Sequence, residues 1–177
     1  MRLHPDLLAV PRIAAVNIHG ALLPQYRGCN PIQWALINNE TETGVTTHYI
    51  TKDFDVGDII AQKHVPIFFE DTWVDIQNRI AKATEEMLSV EILKLLKGTN
   101  ERKSQDISQA RYFRRRKPED GAIDWHKSVE YIYNLVRALV KPHPGAFYIR
   151  EEEKVFLDEY LTIPQVVMFK YNTKIGR

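Results

Sequence analysis

The chain of 177 residues is long enough for one ordinary domain, or for one domain with a small appendage. Hydrophobic residues make up 44% and charged residues 27%, which excludes a disordered tail, a collagen-like fibre and a disulfide scaffold. With 24 Lys plus Arg against 23 Asp plus Glu, the net charge of +1 exerts no general pull on nucleic acid or anionic membrane, so any such contact needs a local patch.

The single cysteine, Cys29, leaves no internal disulfide and no cysteine-rich zinc site, and it fits a reducing compartment. No run approaches the roughly 18 apolar residues that a membrane span needs. The apolar opening from Leu7 to Ile18 is broken by Pro11 and Arg12 and lacks a signal-peptide layout. A soluble, cytoplasmic protein without a membrane partner is the expectation.

In chain order, the nearly all-apolar run Ile13 to Ile18 predicts a strand buried on both faces. A turn-rich stretch follows from His19 to Pro31, punctuated by Gly20, Pro24 and Gly28. Ile32 to Asn38 predicts a short helix with Pro31 at its first position. Gly44 to Thr51 is β-branched and aromatic, a second strand. Asp53 to Asp58 reads as a loop, and Ile59 to Ile67 as a third strand ending at a sheet edge near Pro66.

Between Thr72 and Lys97, Trp73, Ile76, Ile80, Ala83 and Met87 recur at helical spacing. Leu88, Ile92 and Leu95 or Leu96 extend that face, Gly98 stops it, and Thr72 with Asp75 supplies a start signal. Asn100 to Gln109 reads as a polar linker. A second helix is predicted from Ser128 to Val140, closed by Pro142 and Pro144. Strand-like runs then appear at Ala146 to Ile149, Val155 to Leu157 and Val166 to Phe169, with Glu151-Glu152-Glu153 as a polar turn.

Asn17, His19 and Asp55 form the candidate constellation. Two residues apart on a strand, Asn17 and His19 point to the same side, and the strand's carboxyl end is where open α/β sheets bind ligands. Asp55, in the loop between two later strands, could reach the imidazole and raise its pKa by favouring the charged form. An amide such as Asn17 can donate to a carbonyl oxygen as it becomes an oxyanion. Together the three suit acyl transfer to an amine without a covalent enzyme intermediate. An Asn-x-His pair alone also has many purely structural explanations.

The surrounding residues narrow the choice. Asn17-Ile18-His19-Gly20-Ala21-Leu22-Leu23-Pro24-Gln25-Tyr26-Arg27-Gly28 closely resembles the signature of folate-dependent formyltransferases. Asp55-Val56-Gly57, with Asp55 38 positions after Asn17, resembles that family's third motif, and Glu42-Thr43-Gly44-Val45-Thr46 precedes it as in the family. The resemblance runs from about Pro5 to Phe147.

Within the family, Arg27-Gly28-Cys29-Asn30-Pro31-Ile32-Gln33-Trp34-Ala35 looks most like the enzymes that formylate an amino group on a nucleotide-linked sugar. Arg116 to Gly121, Ile123-Asp124-Trp125 and Pro142 to Phe147 resemble their junction into a second subdomain. An Arg implicated in substrate binding stands at the position of Cys29 in the enzyme that modifies UDP-aminoarabinose, so this chain departs from that relative there.

The resemblance implies an α/β fold: the C-terminal half of a Rossmann-like formyltransferase domain followed by a partial small β-rich subdomain. It places an incomplete catalytic domain at residues 1–110, and a linker helix with partial subdomain at 111–177. It makes His19 the general acid/base, Asn17 the stabiliser of the tetrahedral intermediate, and Asp55 the residue that orients and tunes His19. Thr51, Lys52, Asp53, Phe54 and Asp55 would line the pterin of 10-formyltetrahydrofolate, the formyl donor, with no metal required.

The implied reaction moves a formyl group from 10-formyltetrahydrofolate to the amine of a dTDP- or UDP-linked amino sugar. Folate and nucleotide sugar would be the ligands, nucleic acid would not, and a homodimer stays open. The rival enzyme is methionyl-tRNA formyltransferase. In the family the Asn-x-His strand comes far into the chain, after a Rossmann-like first half. Here it comes at residue 17, so the chain reads as an internal piece or a late-started reading frame. A reading of another class follows: an inactive fragment or interaction module lacking the folate-binding half, with an exposed side on its first strand.

Other conspicuous residues have plainer readings. Cys29 is a loop thiol with no partner base apparent in sequence. His48 and His64 are structural or exposed rather than metal ligands, since no zinc-like spacing accompanies them. Trp34 and Trp73 are core residues. The run Arg111 to Lys117 divides evenly between a solvated linker and a grip on a diphosphate or RNA.

Overall fold

The computed structural model describes residues 4–157 and 162–172. A single turn, α1 (Pro5–Leu8), precedes β1 (Val16–His19), the two-residue β2 (Arg27–Gly28) and α2 (Pro31–Ile37). Next come β3 (Glu42–Tyr49), β4 (Ile59–Pro66) and the long α3 (Trp73–Leu96). The rest holds β5 (Tyr112–Phe113), α4 (Val129–Ala138), β6 (Ala146–Arg150), β7 (Glu153–Leu157) and α5 (Ile163–Asn172). Mixed α/β architecture is therefore as expected.

The main sheet has the order β1-β3-β4, with both pairings antiparallel. β1 starts later than its apolar run and is not buried on both faces: Ile13 is 58% and Ile18 46% exposed. An apolar run reports only that burial is favourable, not how many neighbours a strand acquires, and among the described residues β1 is an edge. β4 is the other edge and ends at Pro66, which has no N–H to offer a further strand.

α3 forms for the reasons its pattern gives. The Asp75 carboxylate accepts from the Thr72 N–H at 2.8 Å and from its hydroxyl at 2.6 Å, satisfying orphan donors at the helix start. Ile76, Ile80, Ala83 and Met87 are buried, each large side chain contributing roughly 1.5–3 kcal/mol. The last two turns depart from expectation: Ile92 and Leu96 are exposed, because the helix outruns the sheet it packs on.

α4 begins at Ser128, whose hydroxyl accepts from the Tyr131 N–H at 3.1 Å. It packs on α2, so Ala35, Leu36, Ile76, Ile132 and Val136 share one continuous core. The β6–β7 hairpin turns on Glu151 and Glu152, both left-handed at φ 51° and 69°, as a two-residue primed turn requires.

The strand expected at Val166 to Phe169 is instead part of α5. Thr162 and Gln165 form a start signal that outweighs the β-branched run: Gln165 Oε1 accepts from the Thr162 N–H at 2.7 Å and from its hydroxyl at 3.0 Å. Pro164 sits in the first turn, where its missing N–H costs nothing.

Candidate active site

β1 presents Asn17 and His19 on one face and Ile18 on the other. Beside it, β3 places His48 directly opposite Asn17. A bulge in the β3–β4 pairing falls at this point, since Thr47 opposes Ala61 but His48 opposes Ile59. Such an extra residue bends the strand and re-aims the side chains next to it. Beyond Tyr49 the chain leaves the sheet and returns through Asp55, which is left-handed at φ 56°. Gly57 makes that return close: a Cβ there would lie 1.8 Å from the Tyr49 carbonyl oxygen.

The fold thus gathers the three candidates. His19 is 7% exposed. Its Nε2–H donates to the Tyr26 carbonyl at 2.6 Å, and its Nδ1 faces Asp55 Oδ1 at 3.9 Å. The other Asp55 oxygen accepts from the Gly28 N–H at 2.8 Å. Asn17 Nδ2 lies 3.2 Å from His48 Nε2, and that same nitrogen stands 3.7 Å from Asp55. Asp55 therefore sits between two imidazoles.

Burial holds the His19 pKa below its ordinary value, outweighing the opposing effects of Asp55 and the Tyr26 carbonyl, while His48 adds to the lowering. The expected direction was upward, so the structure reverses it. The physical reason is that desolvating a cation costs more here than a carboxylate at 3.9 Å returns. Burial pushes the Asp55 carboxyl up, but His48, His19 and the Gly28 N–H together hold it below the usual carboxylate range. The arrangement at neutral pH is a neutral, basic imidazole beside an ionised carboxylate, which can accept a proton and then neutralise the charge gained.

Sequence reasoning missed Gln105, assigned to a polar linker. Its amide donates to the carbonyls of Asp55 at 2.9 Å and Gly57 at 2.7 Å, and its oxygen accepts from Arg27 at 2.7 Å and 3.1 Å. One half-buried amide thus clamps the Asp55 turn to β2. Nothing local in the sequence signals it.

Thr51, Lys52, Asp53 and Phe54 are exposed on the loop that ends at Asp55, and Thr51 Oγ1 donates to the Asp53 carbonyl at 3.0 Å. A cleft of about 580 Å³ is lined by Ile18, Gly20, Ile32, Gln77, Ile80 and Thr84. Ile18 points away from the trio, so this cleft opens on the other face of β1. Among the described residues, no group of three or more His, Cys, Asp or Glu is placed to hold a metal ion. No described helix is long and apolar enough to cross a membrane.

The remaining residues take structural places. Cys29 is exposed, and His64 is exposed beside Glu42. Trp34 Nε1 donates to the Arg114 carbonyl, and Trp73 Nε1 to the Val140 carbonyl. The run Arg111 to Lys117 is no simple solvated linker: Tyr112 and Phe113 pair in parallel with β2, and Phe113 stacks on Tyr26. Arg114 forms a two-point ion pair with Asp120, and half-buried Arg116 lies over the Trp34 ring.

Residues 1–92 match the formyl transferase family, and residues 115–165 match the formyl transferase C-terminal domain. The bifunctional polymyxin resistance protein ArnA of Wigglesworthia glossinidia brevipalpis is 42% identical over 156 residues, covering 88% of this chain and 24% of that protein. Among solved structures, a 4-N formyltransferase from Francisella tularensis superposes with TM-score 0.78 at 26% identity, covering 91% of this chain and 67% of that one. The N-formyltransferase of Helicobacter canadensis, in complex with folinic acid and dTDP-3-aminofucose, gives TM-score 0.68 at 28% identity over 80% of this chain and 52% of that one. The chain thus spans about a quarter of that curated relative and about half of the Helicobacter enzyme.

Proposed function

Since the chain belongs to the formyl transferase family, we propose that it provides the catalytic trio of an enzyme that formylates the amine of a dTDP- or UDP-linked amino sugar. The observation that carries this reading is the convergence of Asp55, from the loop after β3, with Asn17 and His19 on one face of β1. Support for the acceptor comes from the Helicobacter enzyme, whose structure holds a folate and a dTDP-amino sugar. Residues 1–110 would form the catalytic unit and 111–177 the linker helix and partial β-rich subdomain, in a cytoplasmic protein.

When bound, 10-formyltetrahydrofolate supplies the formyl carbon and leaves as tetrahydrofolate, once the new C–N bond to the amine has formed. Asn17 donates an N–H to the formyl oxygen as it gains negative charge. His19 takes up the proton that the attacking amine sheds, using the basic Nδ1 that its Tyr26 bond leaves free of hydrogen. Asp55 then faces the imidazolium and offsets its charge until the imidazolium would give that proton to the folate nitrogen, whose bond to the formyl carbon breaks. Thr51 to Asp55, on the exposed loop leading into the trio, would line the pterin.

The test uses the full-length protein, 10-formyltetrahydrofolate and a panel of dTDP- and UDP-linked amino sugars, reading the mass gain of one formyl group. His19→Ala should lower the rate by about 10²–10⁴-fold. Formylation of charged initiator tRNA alone would replace the nucleotide-sugar reading with the tRNA one, and a near-unchanged rate in His19→Ala would remove that residue from the chemistry.

A further inference from the structure

One buried group beside the trio has no part in the chemistry above. His48 is 2% exposed, stands opposite Asn17 in the β1–β3 register, and approaches both Asn17 and Asp55. We propose that His48 is a positioning residue that sets which way the Asn17 amide faces; its catalytic consequence rests on the reading of Asn17 as the oxyanion donor.

His48 Nδ1 lies 2.9 Å from the Tyr49 carbonyl oxygen, which can only accept, so Nδ1 carries hydrogen. In the neutral ring Nε2 is then a bare acceptor. It lies 3.2 Å from Asn17 Nδ2, which can only donate. An Asn17 amide turned by 180° would set its oxygen against that lone pair instead. The imidazole thus holds one Asn17 N–H and leaves the second in a fixed orientation.

The ring is well placed for this task. The Tyr49 bond and the bulge beside Thr47 fix its orientation from the backbone side. Asp55, 3.7 Å from Nε2, is the charged group that faces it, and His19 lies beyond on the same carboxylate. A second proton on Nε2 would reverse the amide preference, since an N–H would then seek the Asn17 oxygen. The tautomer of the ring is accordingly what an experiment must read.

The experiment takes the full-length protein with ¹⁵N-labelled His and Asn, and variants His48→Leu and His48→Gln. In its neutral form the His48 ring should show a protonated Nδ1 and a bare Nε2, and one Asn17 amide proton should be shifted and protected relative to the other. His48→Leu removes the acceptor, and kcat should fall by at least about tenfold with the KM for the amino sugar little changed. The ceiling is the roughly 10²–10³-fold cost of losing an oxyanion donor altogether. His48→Gln, whose amide oxygen reaches the place of Nε2, should recover most of that loss.

A neutral His48 ring that carries its hydrogen on Nε2 rather than Nδ1, or a His48→Leu enzyme with undiminished kcat, would overturn the proposal. If His48→Leu fails to fold, the wild-type spectrum and the His48→Gln kinetics decide. Absence of any formyl transfer by the wild type would instead defeat the functional reading, and the spectrum would still decide whether His48 holds Asn17.

Discussion

Gln105 holds Asp55 from 50 residues away: its Nε2 donates to the Asp55 carbonyl oxygen at 2.9 Å, and to that of Gly57 at 2.7 Å. The same side chain accepts from Arg27, so its two ends tie the turn carrying the carboxylate to β2. Asp55 is left-handed and leaves the sheet entirely, so without such a tie its position would depend on the Gly28 N–H and the two imidazoles alone.

Gln105→Ala should therefore loosen the trio as well as the fold. Two carbonyls and the Arg27 guanidinium lose a partner, a cost of about 1–3 kcal/mol where such groups stay buried. Urea unfolding of the variant should give a lower midpoint, and formyl transfer by the full-length variant should slow. A midpoint equal to wild type would show that water replaces the clamp without loss.

Acid should weaken the fold in two stages. Burial holds His19 and His143 below the ordinary imidazole value, with Arg116 adding to the effect at His143, so the unfolded chain takes up protons first. Stability is full above about pH 6.5 and is lost as pH falls from there through the folded-state values. Asp55, held below the carboxylate range, adds a loss that begins near pH 4 and grows as pH falls. Unfolding midpoints measured from pH 8 to 5 should fall, and His19→Gln should flatten part of that slope. An unchanged slope in the variant would contradict the lowered His19 pKa.

Gly57→Ala tests the close approach behind Asp55. A Cβ at that position would sit 1.8 Å from the Tyr49 carbonyl oxygen, which belongs to the backbone and cannot swing aside. Moving it would also disturb the acceptor of His48 Nδ1. The expected cost is about 2–4 kcal/mol, in the range reserved for strained backbone and broken buried contacts. Thermal unfolding reads it directly, and a wild-type Tm would show that the turn has room to open.

Asp71 ties the end of the sheet to α3 and α4. Its carboxylate accepts from Arg79 at 2.5 Å and 2.6 Å and from the Phe68 N–H at 2.6 Å, while Arg137 of α4 donates to its carbonyl at 3.0 Å. Arg79 is partly in solvent, so Asp71→Ala should cost about 2–3 kcal/mol, less than for a fully buried pair. Asp71→Asn should lose less, since an amide oxygen still accepts from Phe68. Equal losses in both variants would assign the effect to charge alone.

Local chemistry carried much of the fold in readable form. The α3 and α4 starts, the β6–β7 turn and the edge at Pro66 each depend on residues within a few positions of one another. α5 was lost in the sequence because Val166 to Phe169 satisfies a strand pattern as well as a helix, and the Thr162–Gln165 pairing that decides between them is only two side chains long.

The sequence by itself determined which residues carry the candidate chemistry: Asn17 and His19 share a face because strand side chains alternate, and Asp55 falls at the family's spacing. Only the tertiary structure decided how they act on one another. The lowered pKa of His19 comes from its burial in the packed chain, against a carboxylate whose distance no spacing specifies. The partners that hold the trio, His48 across a strand pair and Gln105 across 50 residues, lie at separations where sequence pattern is silent. Side-chain periodicity is a property of one element, whereas solvation and contact between elements exist only once the chain has packed.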